Sequence, residues 1–289
     1  MFYSPLRYPG GKNKLAKFIA KICVENNING HYVEPYAGGA SVALFLLLKK
    51  KVSKITINDY DRSIYAFWFS ILKHTDIFCK MIENTEINIE TWRKAKAIQK
   101  KKKYSSLIQL GFSTFFLNRV NMSGIIDGGV IGGIDQNGTY KMDCRFNKQE
   151  LIKRIKEIAK YKKQIKIFNL DAVDLIEIIK NESQNQQTIF YFDPPYYLKG
   201  KSLYINHYKH NDHEKIGKLI NSIQNIHWIV SYDNTKEINK IYNWVTDKKK
   251  IEYSFFHTAH RAKEGKEILF FSDSLKNIDL VINPVKQKL

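Results

Sequence analysis

Apolar residues are distributed along this chain in two alternating rhythms. One is the short, nearly uninterrupted run: Tyr32-Val33, Ile55 to Ile57, Ile165 to Leu170, Thr188 to Phe192, His227 to Val230 and Glu267 to Ser272. Runs so short and so apolar have no wet face, so they read as strands inside a largely parallel sheet. The other rhythm is the helical spacing that puts apolar residues on one side. It runs over Lys14 to Glu25, the stretch through Leu48, Ile64 to His74, Asp76 to Glu83, Gln149 to Ala159, Ile216 to Ile223 and Lys236 to Ile241. Leu151, Ile152, Ile155 and Ile158 share one such face. Asn211 followed by Glu214 resembles a capping box before the helix at Ile216. Strand alternating with helix predicts an α/β fold.

Between Arg62 and Asn147 the rhythm changes. Helices rich in Tyr65, Phe67, Trp68 and Phe69 come first, then Trp92 to Lys103, which carries Arg93, Lys94, Lys96 and Lys100 to Lys103. Phe112 to Asn121 reads as a buried helix ending in polar groups. After it, glycines at 124, 128, 129, 132, 133 and 138 mark loops, with Asn137-Gly138 placed for a tight hairpin turn. The chain therefore divides into 1–61 and 148–289, two parts of one sheet domain, and an inserted subdomain over 62–147.

Charge changes the picture. Lysine and arginine number 47 against 28 acids, a formal net charge of +19 in 289 residues. A field of that sign favours polyanions, nucleic acid first. Lys-rich helix ends are also commonly just solvated. With 44% hydrophobic residues, 17 Phe and 17 Tyr, the chain can bury a full core. No apolar run is long enough to span a bilayer, and the N-terminus lacks a signal pattern. Cys23, Cys79 and Cys144 are scattered, which argues against structural zinc and a disulfide frame and fits a reducing cytoplasm.

The candidate chemistry sits at strand ends. Thr188 to Phe192 delivers Asp193-Pro194-Pro195-Tyr196. Two prolines in succession lack N–H groups and have fixed φ, so the loop offers a carboxylate, undistracted carbonyls and an aromatic ring. That set suits a neutral amino group on a flat base. Tyr32-Val33-Glu34 leads into Pro35-Tyr36-Ala37-Gly38-Gly39, a first strand and glycine turn where an α/β sheet binds its ligand. It is not G-x-G-x-x-G, so a pyrophosphate ligand is not indicated. Lys54 to Asn58 ends in Asp59, placed to hold ribose hydroxyls. Near the N-terminus, Arg7-Tyr8-Pro9-Gly10-Gly11-Lys12 combines close backbone approach with a positive charge. His207, His210, Asp212 and His213 cluster in sequence, but two of them begin a helix and no cysteine joins them, so no metal is expected.

In this order, RYPGGK, VEPYAGGASV, NDYD and DPPYY resemble the Dam-type, D12-class adenine-N6 DNA methyltransferases of the alpha group, from Tyr3 to about Asp273. The resemblance implies a Rossmann-like S-adenosylmethionine-dependent methyltransferase sheet. It also implies an inserted, mainly helical DNA-recognition subdomain carrying a glycine-rich loop or hairpin. Tyr8, Lys12, the turn at Gly38, Asp59, Asp171 and Asp193 match the cofactor-binding positions. Asp193, Pro194 and Tyr196 match the catalytic ones. Ala40 stands where many members have a third glycine.

Base reading is expected around the glycine-rich stretch, from Arg119, Asn121, Ser123, Lys141 and Arg145. Arginine can bridge guanine O6 and N7, and asparagine adenine N6 and N7. Arg119 and Asn121 also suit internal capping. Ser123 to Gly129 departs from the pattern of family members that read GATC, so that specificity does not transfer. The expected reaction is direct methyl transfer to N6 of an adenine flipped out of double-stranded DNA, with Tyr196 stacking on the base. The chain would act alone or beside a restriction endonuclease that cuts the same site. Transfer to cytosine N4 or to RNA adenine, and a catalytically silent DNA-binding relative, are the alternatives.

Overall fold

The computed structural model describes residues 3–8, 12–182, 187–198, 208–257, 263–276 and 278. The Gly10-Gly11 turn and His207 lie outside the described residues. A seven-stranded sheet runs in the order β3-β2-β1-β4-β5-β7-β6. Its strands are β1 (His31–Glu34), β2 (Lys54–Asn58), β3 (Ile165–Phe168), β4 (Thr188–Phe192), β5 (His227–Asp233), β6 (Lys250–His257) and β7 (Lys263–Phe271). The first five are parallel. β7 is antiparallel to both β5 and β6, so the sheet has an antiparallel end, as the resemblance implies.

From β1 the chain winds outward to β2 and β3, then returns to add β4 and β5 on the other side. The loops leaving β1 and β4 therefore run in opposite directions and part above the sheet's carboxyl edge, where open α/β sheets bind ligands.

Side chains alternate across the strands and divide the core into two faces. Tyr32, Ile189, Tyr191, Ile229, Leu269 and Phe271 point to one face, under α1 (Ala16–Glu25) and α2 (Ser41–Leu48). Val33, Phe190, Phe192, Val230, Tyr232, Ile268 and Phe270 point to the other. There they meet α8 (Ala172–Glu182), α9 (His210–Asn221) and α10 (Lys236–Ile241).

The central stretch forms α3 (Arg62–Lys73), α4 (Thr75–Asn84), α5 (Ile89–Lys100) and α6 (Leu107–Val120), and α7 (Lys148–Ala159) follows. Phe67 stacks on Phe115 at 5.9 Å, and Phe115 meets Phe146 edge-on at 5.4 Å. This aromatic core is continuous with the α1–α2 face of the sheet. Gly111 lets α6 approach α3 closely, since a Cβ there would lie 2.4 Å from the Ala66 carbonyl oxygen.

Three local expectations are corrected. The basic and buried central helices begin earlier than their apolar spacing suggests. The Asn88 and Ser106 side chains accept hydrogen bonds from the amides of Thr91 and Gln109, and these caps set the starts. α9 likewise begins at His210, with Asp212 accepting from the Lys209 amide at 2.8 Å, so the Asn211–Glu214 box does not form. Asn137-Gly138 does not turn a hairpin. The stretch is a series of turns whose one bridge pairs Asn121 with Val130, and the Gly138 amide donates to Gly132. Without paired strands on either side, an Asn-Gly turn has nothing to register.

Candidate active site

A cavity of about 1210 Å³ opens at the carboxyl edge of the parallel strands. That exceeds the roughly 300–1,000 Å³ of an ordinary single-ligand pocket. Its wall joins parts of the chain far apart in sequence: Tyr8 and Lys12, Asp59, Asp171, Asp193 and Pro195, and Arg119, Ser123 and Arg145.

Along the first strands the wall is built by hydrogen bonds between loops. Asp59 follows β2 and accepts from the Gly38 amide and the Asp61 amide, both at 2.9 Å. Gly38 has φ +46°, and a Cβ there would lie 2.6 Å from the Tyr8 ring. Glycine thus serves both the turn and the close approach of Tyr8. The next turn residue, Ala40, is held in the left-handed region at φ +47°. Trp68 on α3 donates to the Gly38 carbonyl at 2.9 Å, tying the helical segment to the turn. Asn58 bonds the Pro35 and Leu170 carbonyls and accepts from the Leu170 amide, so it links the loops after β1, β2 and β3. Asp171 is exposed and accepts from the Val173 amide at the start of α8.

Burial sets the electrostatics here. It pushes Asp59 up to about 7, although the Asp61 and Gly38 amides oppose the shift. Glu34, which lines the cavity, is 4% exposed and accepts from the Tyr32 hydroxyl and the Ala43 amide. Burial raises it to about 8 against those bonds, and the nearby Asp193 charge adds to the rise.

Asp193 stands just past the end of β4. Its Oδ1 is buried, lies 3.4 Å from Lys12 Nζ, and makes no hydrogen bond of ordinary geometry. Burial raises its pKa more than Lys12 pulls it down. The loop is clamped from β5, where the Asp233 carboxylate accepts from the Tyr197 and Leu198 amides, each at 2.9 Å.

Tyr196 is placed differently from the stacking ring expected of it. It is 5% exposed, it is not on the cavity wall, and its hydroxyl bonds Lys12 and Glu267. Pro194 is buried beside it, while Pro195 lines the cavity.

The expected base readers separate into two groups. Arg145 and Ser123 are exposed on the cavity wall. Arg119 lines it too, but donates to the Arg145 and Pro5 carbonyls. Asn121 is fully buried, accepts from Trp92 Nε1 at 2.8 Å and donates to the Ile125 and Ile126 carbonyls, so its side chain is consumed by the loop. Lys141 donates to the Gln136 carbonyl and is off the wall.

Two arginines not foreseen as base readers, Arg7 and Arg154, join Arg119 and Arg145 on the wall. Burial, and after it the charges of Arg7, Arg154 and Arg145, together lower Arg119 to about 9. Arg154 pairs with Glu150, whereas Arg7, Arg119 and Arg145 pair with no carboxylate among the described residues. Concentrated cation of this kind is relieved by an anion.

Glu34, Asn58, Asp233 and Glu267 escaped the sequence reading. Their one visible signal is a polar residue at the edge of an apolar strand. No group of three or more His, Cys, Asp or Glu suited to a metal exists among the described residues.

Asp59, Asp171 and Asp193, each placed after a parallel strand, thus meet at one cleft on the carboxyl edge of the sheet. The chain belongs to the D12 class N6 adenine-specific DNA methyltransferase family, whose model matches residues 8–254. It is 26% identical over 206 residues to the Type II methyltransferase M.MjaIII of Methanocaldococcus jannaschii, covering 66% of this chain and 68% of that one. The rRNA methyltransferase aviRa from Streptomyces viridochromogenes aligns over 89% of this chain and 85% of its own, at 10% identity and a TM-score of 0.36. Family membership implies S-adenosylmethionine as methyl donor and double-stranded DNA as substrate. No helix among the described residues is long and apolar enough to cross a membrane.

Proposed function

We propose that this chain methylates N6 of an adenine flipped out of a specific double-stranded DNA sequence. The observation that carries this reading is the Asp193 carboxylate. It lines the cavity that also holds Asp59 and the arginine group, and its inner oxygen has only weak partners, Lys12 at 3.4 Å and the Ser231 hydroxyl.

The residues fit the cofactor. The crowded Tyr8–Gly38 turn, Asp59 and Asp171 offer carboxylates and backbone of the kind that holds a nucleoside, in a cavity large enough for a cofactor and a base together. S-adenosylmethionine, when bound, supplies an electrophilic sulfonium methyl. Asp59 would accept from ribose hydroxyls, and Asp171 would hold the adenine end. Exocyclic N6 is a poor nucleophile because its lone pair is delocalised into the ring. The Asp193 carboxylate and, after a shift of the loop that brings buried Pro194 to the cavity, the Pro194 carbonyl would accept hydrogen bonds from N6–H, which localises the lone pair and aims it. One N6 proton passes to Asp193 as the N–C bond forms and the S–C bond breaks. No cysteine lines the cavity among the described residues, consistent with transfer in one step. N6 is paired inside a duplex, so the base must leave the stack. In the present conformation Tyr196 contributes its hydroxyl, and stacking would require its ring to turn into the cavity.

Residues 62–147 choose the DNA sequence in this reading. Arg145 and Ser123 are the free base-edge candidates, and Arg7, Arg119 and Arg154 neutralise phosphate. The Type II name of the relative favours a modification role beside a restriction endonuclease. The test is incubation of DNA with the protein and methyl-labelled cofactor, digestion to nucleosides, and methylation-aware sequencing. N6-methyladenine in one recurring motif is expected. N4-methylcytosine, or no labelled base, sinks the proposal.

A further inference from the structure

β7 is antiparallel to its neighbour β5, so its beginning lies at the edge where the parallel strands end and the Asp193 loop departs. Glu267 occupies that place, paired across the sheet with Asp233 on β5 and Tyr253 on β6. It is 1% exposed, and the residues after it, Ile268 to Phe271, are buried and apolar. A carboxylate in such a strand is costly unless it is paired, and a position needed only for packing would be apolar as well.

Glu267 is paired heavily. It accepts from Lys12 Nζ at 3.2 Å on Oε1 and 3.1 Å on Oε2, and from the hydroxyls of Tyr196 and Tyr253. Lys12 also donates to the Tyr196 hydroxyl and stands 4.6 Å from the centre of that ring. One buried ammonium thus lies between two buried carboxylates, and it donates to Glu267 and Tyr196. Asp193 receives its charge at 3.4 Å but no well-formed hydrogen bond.

We infer that Glu267 is the positioning residue of the catalytic loop: by binding Lys12 and the Tyr196 hydroxyl it keeps Lys12 from closing fully onto the buried Asp193 Oδ1, so that the Asp193 carboxylate keeps its acceptor strength for the substrate amino group. The inference rests on the adenine-amine reading above. Lys12 remains charged because Asp193, Tyr253 and Glu267 outweigh its loss of water. Burial lifts Glu267 to about 7 in spite of Lys12, and the Asp193 charge adds to the lift. The charged and titratable groups facing Asp193 are Lys12 from the N-terminal segment, Glu34 from β1, Tyr191 from β4, Tyr253 from β6 and Glu267 from β7.

Glu267→Gln preserves size and removes the charge. Lys12 should then bond Asp193 directly. The expected result is a fall in kcat of at least about 10-fold with KM changed by less than about threefold. Calorimetric S-adenosylmethionine affinity should stay within about threefold of the parent. The acidic limb of the kcat–pH profile should move to lower pH, because Asp193 gains a proton donor and loses a negative neighbour. Glu267→Asp should return the limb toward its parent position. A parent-like kcat and limb overturns the inference. So does a loss that is uniform across pH, since that marks a purely structural role. If Glu267→Gln fails to fold, Glu267→Asp carries the test alone: its shorter side chain holds Lys12 less closely, the limb should lie below the parent position, and an unmoved limb with parent kcat in that variant overturns the inference. A parent protein that transfers no methyl group to adenine removes the proposed function and this assignment together. An active parent with an indifferent Glu267→Gln variant removes only the assignment.

Discussion

The carboxyl edge of the sheet and the helical segment that shares its cavity use their polar residues in different ways. At the sheet edge Asp59, Asp171 and Asp193 sit just beyond strand ends and line the cavity. In the helical segment Asn121, which is buried, and Lys141, which is exposed, both bond loop carbonyls, and Arg119 is half engaged in the same way. A strand end places its next residue in the cleft wherever the sheet forms. A loop of turns has no such lattice, and each carbonyl it leaves unpaired must find a donor from a nearby side chain. Polar residues in the sheet loops are therefore good candidates for chemistry, whereas those in the glycine-rich loop are first candidates for holding it together.

The largest expected effect sharpens the sheet side of this comparison. Asp193→Ala should slow methyl transfer by about 10²–10³-fold or more, because an acceptor aimed at the reacting amine is lost. DNA affinity, measured by fluorescence anisotropy, should be little changed, since Asp193 touches no phosphate. Near-parent transfer of labelled methyl groups by this variant would break the assignment.

Next in size is the contrast within the loop. Asn121→Ala should destabilise the fold by about 1–3 kcal/mol in denaturant unfolding, because two loop carbonyls and the Trp92 donor lose a buried partner. Its methylated motif should stay that of the parent. Arg145→Ala should do the reverse: parent stability, with discrimination at one base pair relaxed by about 1–3 kcal/mol. Sequencing of the methylated sites separates the two, and a motif shift in the Asn121 variant would erase the contrast.

A separate effect is the pH dependence of stability set by Glu34. Its folded carboxyl titrates at about 8 against an ordinary 4.5, so the folded state keeps a proton that the unfolded chain has released. That contribution is complete below about pH 4.5 and fades as pH rises through about 8. Glu34→Gln should melt close to the parent near pH 5 and well above it near pH 9, with a stability gain of up to roughly 5 kcal/mol at about 1.4 kcal/mol per pH unit between the two titrations. Asp59 and Glu267 titrate with the same sign, so the informative quantity is the difference between variant and parent at each pH. Equal melting temperatures at high pH would mean that Glu34 is ionised at little cost.

The smallest is at the glycine turn. Ala40 holds φ +47°, a strained conformation for a residue with a Cβ. Ala40→Gly should relieve that strain, offset in part by the greater freedom of glycine when unfolded, for a net gain below about 1 kcal/mol. A loss of stability on calorimetric melting would show that the Ala40 methyl packs well enough to outweigh the strain.

The parallel strands and the acids that follow them were legible in the linear chain. Apolar runs such as Thr188 to Phe192 can only be interior strands, and Asp59, Asp171 and Asp193 each stand just beyond one. Helix starts were less legible, because caps such as Asn88 and Ser106 act beyond the apolar pattern. The pairing of Asn121 with Trp92, of Asp233 with the Tyr197 amide, and of Glu267 with Lys12 could not be read at all. The partners are separated by 29, 36 and 255 positions, and no local spacing couples them. Periodicity and chain direction are short-range properties, so the sequence alone determined the strands, their carboxyl edge and the acids placed there. Which polar groups stay open to a ligand depends on what other segments bring within hydrogen-bonding distance, and only the closed sheet with its helices decided that.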